Sequence, residues 1–282
     1  MSENNTPPVA AAIQMASGPN VSANLIEADR LLKEAAEAGA ILAVLPENFA
    51  MLGRRDEERL SEAEPEGDGP LQQWLAQRAR QYGLWVVGGT IPLQADGQRC
   101  TGSCLVYDDQ GERRARFDKM HLFDVTLPDS DERYHESAST RAGDEVVVLD
   151  SPVGRLGIAV CYDLRFPELF RAMSAQGAEV FAVPSAFTVQ TGRAHWELLN
   201  RARAVENLAW VIAGAQGGYH VDGRETWGHS MIVDPWGTVV AQKEQGGGVI
   251  TSPISLDKNA SLRQRFPVLD HRRNDLWPLA KD

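Results

Sequence analysis

Apolar and polar positions along the 282-residue chain fall into short runs that switch between a period of two and a period of 3.6. Val9 to Met15 reads as a strand, Leu25, Ala28, Leu32 and Ala35 recur on one helical face, and Ile41 to Leu45 is apolar throughout, as a doubly covered strand requires. Pro70 suits the first turn of a helix that carries Leu71, Trp74, Leu75 and Tyr82 on one side, and Leu84 to Thr90 predicts the next strand. The first third of the chain therefore reads β-α-β-α-β.

The middle changes character. Leu105 to Tyr107 and Arg113 to Phe117 flank the turn sequence Asp-Asp-Gln-Gly (108 to 111), and Val146 to Leu149 and Leu156 to Val160 flank Pro-Val-Gly (152 to 154), so both pairs predict hairpins. Beyond Cys161, Pro167 opens a helical pattern of Phe166, Leu169, Phe170 and Met173, followed by a strand at Val180 to Val183. A helix from Ala194 to about Glu206, a strand at Trp210 to Gly214 and a hairpin around Asp-Pro-Trp-Gly (234 to 237) complete the core. With no linker, charge block or repeat of fixed period, the pattern describes one domain over 1–282, an α/β layered protein with mixed sheets.

Composition narrows the partners. A net charge of -11, from 28 basic and 39 acidic residues, disfavours nucleic acid and anionic membrane surfaces, which would repel it. No apolar run approaches the ~18 residues needed to span a bilayer, and the N-terminal segment lacks the basic and apolar stretches of a secretory signal. Three cysteines (Cys100, Cys104, Cys161) in a chain of this length point to a reducing compartment, so the expected location is cytoplasmic.

Chemistry is expected where strands end, because a rigid scaffold aims the side chains that follow. At the end of Ile-Leu-Ala-Val-Leu-Pro-Glu-Asn (41 to 48), Glu47 abuts an apolar wall that disfavours its charged form, which suits a general base; a solvated loop acid is the alternative. Lys119 follows a hairpin strand among apolar neighbours and becomes functional only if it meets a carboxylate or an oxyanion, while His121 beside it is a proton carrier or a structural group. Cys161 ends an apolar strand just before a Pro-started helix whose N-terminus favours thiolate, so it is either a presented nucleophile or an inert buried thiol. Asp163 and Arg165 either pair with each other or brace that turn.

Taken together, LPEN at Glu47, DKMHLFD at Lys119 and AVCYDLRFPEL at Cys161 resemble the three signatures of the nitrilase superfamily of carbon-nitrogen hydrolases, in family order and 72 and 42 residues apart. YHES around Glu136, PSAFTVQTGRAHWELLNRARAVEN from Pro184 and WGHSMIVDPWG from Trp227 are similar to its amidase branch. Within that branch AQGGYH (Ala215 to His220), WGHSM and FPVLDHRR (Phe266 to Arg273) resemble the deaminated-glutathione amidases more than the ω-amidases.

The resemblance implies a four-layer α-β-β-α sandwich, commonly paired through helices into a homodimer, and hydrolysis of a small-molecule amide without metal or organic cofactor. It makes Glu47 the general base, Cys161 the nucleophile, and Lys119 with the backbone N–H of Tyr162 the oxyanion donors. Glu136 becomes a second acid near the lysine, with a solvated loop carboxylate as the alternative. The implied substrate is deaminated glutathione, with 2-oxoglutaramate or another small amide as the other reading. Such substrates carry carboxylates, for which Arg165, Arg193 and Arg224 are candidates, and Phe187 is a pocket wall or a core aromatic.

Rival readings use other residues. A thiol hydrolase pairing Cys161 with His195, His220 or His229 has no need of Glu47 and Lys119. Gly228-His229-Ser230-Met231-Ile232 carries Ile where a serine elbow requires its second Gly, and Cys100 and Cys104 lack a second ligand pair for zinc. A non-catalytic scaffold retaining the fold is the reading from another class, and the intact Glu47, Lys119 and Cys161 speak against it.

Overall fold

The computed structural model describes residues 6–53, 56–128, 133–221 and 223–273. Residues 1–5, part of the segment read for a secretory signal, and 274–282, the far end of the single domain expected over 1–282, lie outside the described residues. Helices α1 (Val21–Glu37), α2 (Pro70–Tyr82), α3 (Pro167–Ala175), α4 (Val189–Thr191), α5 (Glu197–Asn207) and α6 (Leu256–Arg265) accompany two large sheets. No helix among the described residues is long and apolar enough to cross a membrane.

Val9–Met15 sits inside the larger sheet, parallel to Leu42–Val44 on one side and antiparallel to Gly248–Pro253 on the other, with Ala215–Tyr219 joining in parallel at Gln14 and Met15. Trp85–Val87, Cys100–Tyr107 and Ile91–Gln94 extend this sheet, and Arg113–Asp118 pairs with Cys100–Tyr107 as the predicted hairpin. The smaller sheet runs Val239–Lys243, Ser230–Val233, Trp210–Ala213, Val180–Ala182, Gly154–Ile158 and Val148–Ser151.

The two-residue period of the strands makes the layers. Ala10, Ala12, Leu42, Val44 and Val87 turn towards the smaller sheet and share a core with Leu156, Ile158, Phe181 and Ile212. Their neighbours Ala11, Ile13, Ala43, Leu45 and Val86 point the other way, against Leu31 and Leu32 of α1 and Leu71 and Leu75 of α2. Phe170 and Met173 of α3 and Ala204 of α5 cover the smaller sheet. The result is the α-β-β-α sandwich, two sheets face to face between two helical layers.

Three sequence expectations are corrected. The strand read over Leu84 to Thr90 is only Trp85–Val87, because the chain turns at Gly89, whose φ is 55°. A Cβ there would lie 2.1 Å from the carbonyl oxygen of Pro46, so the close approach admits only glycine. The helix expected from Ala194 begins as a π-helical turn, Gly192–Trp196, and becomes α-helical only at Glu197. Strands Ile91–Gln94, Ala215–Tyr219, Glu225–Trp227 and Gly248–Pro253 and helix α6 extend the core beyond the predicted set.

Candidate active site

Three strand ends meet between the sheets. Glu47 follows Leu42–Val44 of the larger sheet, in a turn fixed by Gln216 Nε2 donating to the Glu47 carbonyl (3.0 Å) and by the Asn48 N–H donating to Thr90 Oγ1 (2.9 Å). Lys119 follows Arg113–Asp118 of the same sheet, its N–H donating to the Gly102 carbonyl at 3.0 Å. Cys161 comes from the smaller sheet, after Gly154–Ile158, at the start of a 3-10 turn (Cys161–Arg165). Asn48 and Cys161 both have left-handed backbones, with φ of 55° and 48°, a strained geometry for residues with side chains and one that clusters at functional sites.

Lys119 meets the carboxylates its burial requires. It is 3% exposed, and its Nζ donates to Glu47 Oε1 at 2.8 Å and to both oxygens of Glu136, at 3.0 and 2.8 Å. Glu136 opens a short 3-10 turn, Glu136–Ala138, and also accepts from the Phe123 N–H at 2.8 Å. One ammonium therefore bridges a carboxylate from each of two segments, and Glu136 is no solvated loop acid.

Burial by itself disfavours the Lys119 ammonium, but the charges of Glu136 and Glu47 outweigh it and hold its pKa well above the ordinary lysine value. Burial likewise pushes Glu136 up, and Lys119, Arg59 and the Phe123 N–H reverse the sign, keeping it below the usual carboxylate range. For Cys161 burial and the charge of Glu47 push the thiol well up, offset in part by Lys119 and by the Ala186 N–H that donates to Sγ at 3.5 Å. The expected thiolate is thus corrected: burial beside a carboxylate outweighs a helix N-terminus that lies beyond the 3-10 turn, and Cys161 rests as a thiol beside a base that can take its proton.

The pocket around these groups opens to solvent and holds about 620 Å³ of empty space, mouth included. Tyr162, Phe187 and Thr191 form part of its wall, as do Arg165 and Arg224, whereas Arg193 lies outside it with its guanidinium over Trp227. Phe187 is both wall and core, packed on Trp196 at 4.9 Å. Arg165 does not pair with Asp163; it lies over the rings of Tyr162 and Phe187 and meets His195 Nδ1 at 3.2 Å. Asp163, fully buried, braces the turn by accepting from the Val160 and His121 N–H groups, both at 2.9 Å, and from the His121 ring at 2.7 Å. His121 is therefore structural.

The rival sites do not form. His195, His220 and His229 do not line the pocket; His220 is held by the Ser17 carbonyl and Thr226, both at 2.8 Å, and His229 stacks on Trp227. Ser230 is buried, its hydroxyl accepting from the Ala215 N–H. Cys100 and Cys104 are buried strand residues, and no cluster of metal-ligating side chains occurs among the described residues. The sequence reading missed Arg59, a buried pocket residue on the 3-10 segment Asp56–Glu62.

Comparison with known proteins accords with this geometry. The profile of the family described as carbon-nitrogen hydrolase matches residues 9–264. The chain belongs to the carbon-nitrogen hydrolase family. Among curated relatives, deaminated glutathione amidase of Yersinia enterocolitica is 43% identical over 265 residues, covering 93% of this chain and 92% of the relative. The human protein of the same name is 42% identical over 275 residues, 96% of this chain and 84% of its own. Of solved structures, Saccharomyces cerevisiae Nit3, described as a member of branch 10 of the nitrilase superfamily, superposes with a TM-score of 0.85 at 30% identity, covering 95% of this chain and 97% of that one. The NitFhit protein of C. elegans gives 0.87 at 36% identity, with 97% of this chain and 67% of that chain covered. This carbon-nitrogen hydrolase is an amidase of the nitrilase superfamily, and its sandwich is the superfamily fold.

Proposed function

We propose that this chain, as one catalytic domain, hydrolyses deaminated glutathione to 2-oxoglutarate and cysteinylglycine, with Glu47, Lys119 and Cys161 as catalytic residues. The observation that carries the reading is a thiol, a carboxylate and an ammonium shared with a second carboxylate in one buried pocket. The printed names of the relatives, deaminated glutathione amidases at 43% and 42% identity, support the choice of substrate.

Cys161 Sγ bonds to the amide carbonyl carbon while its proton passes to Glu47. The carbonyl electrons move onto oxygen, where Lys119 and the backbone N–H of Tyr162 stabilise the charge, each donor contributing about 3 to 4 kcal/mol. Collapse of the oxyanion breaks the C–N bond, and the leaving nitrogen takes the proton from Glu47. Water deprotonated by Glu47 then attacks the thioester, the acid departs, and the sulfur regains its proton. Glu136, a fourth site residue that also lines the pocket, fixes the ammonium, and Phe187 forms the pocket wall. Arg165 and Arg224 are the pocket cations that suit the two carboxylates of this substrate.

The test is hydrolysis of deaminated glutathione against 2-oxoglutaramate at equal concentration, followed by 2-oxoglutarate release. A preference of about tenfold or more in kcat/KM for the first is the expected result. The reverse preference moves the assignment to an ω-amidase, and turnover of neither refutes both.

The same reading makes the protein a cytoplasmic homodimer. Its three free cysteines, all buried, suit a reducing compartment. Leu198 and Val205 stand exposed on α5, Gly237 passes beneath Val205, and the neighbouring Trp236 meets Phe266 edge-on at 5.6 Å, so the four apolar side chains belong to one exposed face. Light scattering should give the dimer mass, and Val205→Asp should shift it towards the monomer; a monomeric wild-type protein refutes the assignment.

A further inference from the structure

Among the described residues, Arg59 is the second cation beside Glu136 in the buried cluster. Glu47 and Glu136, 4% and 5% exposed, share the ammonium of Lys119, so among the described residues two buried carboxylates meet one lysine. The Arg59 guanidinium, 7% exposed, has Nη1 4.0 Å from Glu136 Oε1 and donates from the same nitrogen to Asn48 Oδ1 at 3.1 Å. Asn48 is the left-handed residue directly after Glu47, and its Oδ1 also accepts from Thr90 Oγ1 at 3.3 Å. One side chain from the Asp56–Glu62 segment therefore ties the turn that carries the base to the acid that holds the lysine.

We infer that Arg59 is a positioning residue for the amidase reaction: it neutralises Glu136 and fixes the Glu47–Asn48 turn, so that Lys119 and Glu47 keep their places as the oxyanion and the proton move. This rests on the catalytic roles proposed above for Glu47 and Lys119, and not on which amide is cleaved. The groups that face or share the cavity with Glu136 are Lys119 and Glu47 from the larger sheet, Cys161 from the smaller, Arg59 itself, and Arg165 and Arg224 in the wall. Among the described residues, Lys119 and Arg59 are the cations that hold Glu136 ionised. With Arg59 gone, Glu136 takes up a proton at a higher pH and releases Lys119 sooner as the solution is acidified.

Arg59→Gln should lower kcat about 10- to 100-fold, the scale of an ångström-sized misplacement, while KM stays within about twofold. The acid limb of the kcat profile should move up by about one pH unit, the lower end of the effect of an opposite charge at this distance. Alkylation of Cys161 by iodoacetamide, read by mass spectrometry, needs no substrate; it should slow at neutral pH, because the added negative charge opposes thiolate. Arg59→Lys, which keeps the charge and loses the planar fork, should restore the acid limb and the alkylation rate and only part of kcat. If Arg59→Gln fails to fold, Arg59→Lys decides alone, since a limb that moves despite the retained charge overturns the proposal. A raised KM with kcat and limb unchanged makes Arg59 a substrate contact and overturns it too, as do kinetics and alkylation that match the wild type. An inactive wild-type protein refutes the proposed function, and the alkylation arm still reports on Arg59.

Discussion

Cys161→Ala protein is expected to show no measurable amide hydrolysis, a fall of about a million-fold in kcat, the scale reached when the nucleophile of a covalent hydrolase is removed. Nothing else in the pocket replaces the sulfur. Cys100 and Cys104 are buried in a strand, burial pushes the Cys104 thiol far up, and the Ser230 hydroxyl is engaged within the core. The fold should survive, because alanine tolerates the left-handed backbone no worse than cysteine does and removes a single atom, so stability should change by about 1 kcal/mol or less. Comparing turnover and thermal melting of the purified variant with the wild type checks both halves. Cys161→Ser should bind substrate and turn over at a small fraction of the wild-type rate, since its hydroxyl gives up a proton far less readily. Hydrolysis that persists undiminished in Cys161→Ala would overturn the mechanism outright.

Lys119→Met should damage the protein twice. Loss of the ammonium deprives the oxyanion of a charged donor, so kcat should fall by about 100- to 1,000-fold. It also leaves Glu47 and Glu136 together in a buried site, and breaking such a pair by removing one partner costs about 3 to 5 kcal/mol. The two effects separate by pH. In the wild type the pKa of Glu136 is lower folded than unfolded, so its contribution is present above the unfolded value and is lost as pH falls through the folded one. In Lys119→Met burial is opposed only by Arg59 and the Phe123 N–H, so the folded carboxyl of Glu136 binds its proton more tightly than in the wild type, and part of the lost stability should return on acidification. Thermal melts of both proteins between neutral and mildly acidic pH test this; curves that fall in parallel would show that Lys119 does not hold the pair.

How much of this was legible in the sequence depended on whether a group announced itself locally. Glu47 and Cys161 each follow an apolar run and Lys119 follows the second strand of a hairpin, so the strand is visible and the reactive residue stands at its end. Arg59 gave no such signal: it lies in a polar stretch without periodicity, and only the tertiary path of that segment carries it to Glu136. Gly248–Pro253 alternates too weakly to read as a strand, although it pairs with six successive residues from Val9 to Gln14. Helix α6 buries a polar residue, Asn259, rather than an apolar stripe, and so escapes a search for amphipathic spacing. Around Cys161 the local sequence shows a helix start, but neither the burial nor the carboxylate, brought from more than a hundred residues away, that together push its thiol up.

The base and the lysine ride on one sheet and the nucleophile on the other, so their separation is set by the apolar layer between, where Val44, Phe117 and Ile158 meet. The turnover rate is thus a gauge of the gap between the sheets. A swap in that layer that hardly moves the melting temperature can still retune the enzyme, since a shift of about one ångström is worth two orders of magnitude in rate. Evolution of this scaffold is then constrained less by how well the core holds together than by how thick it is.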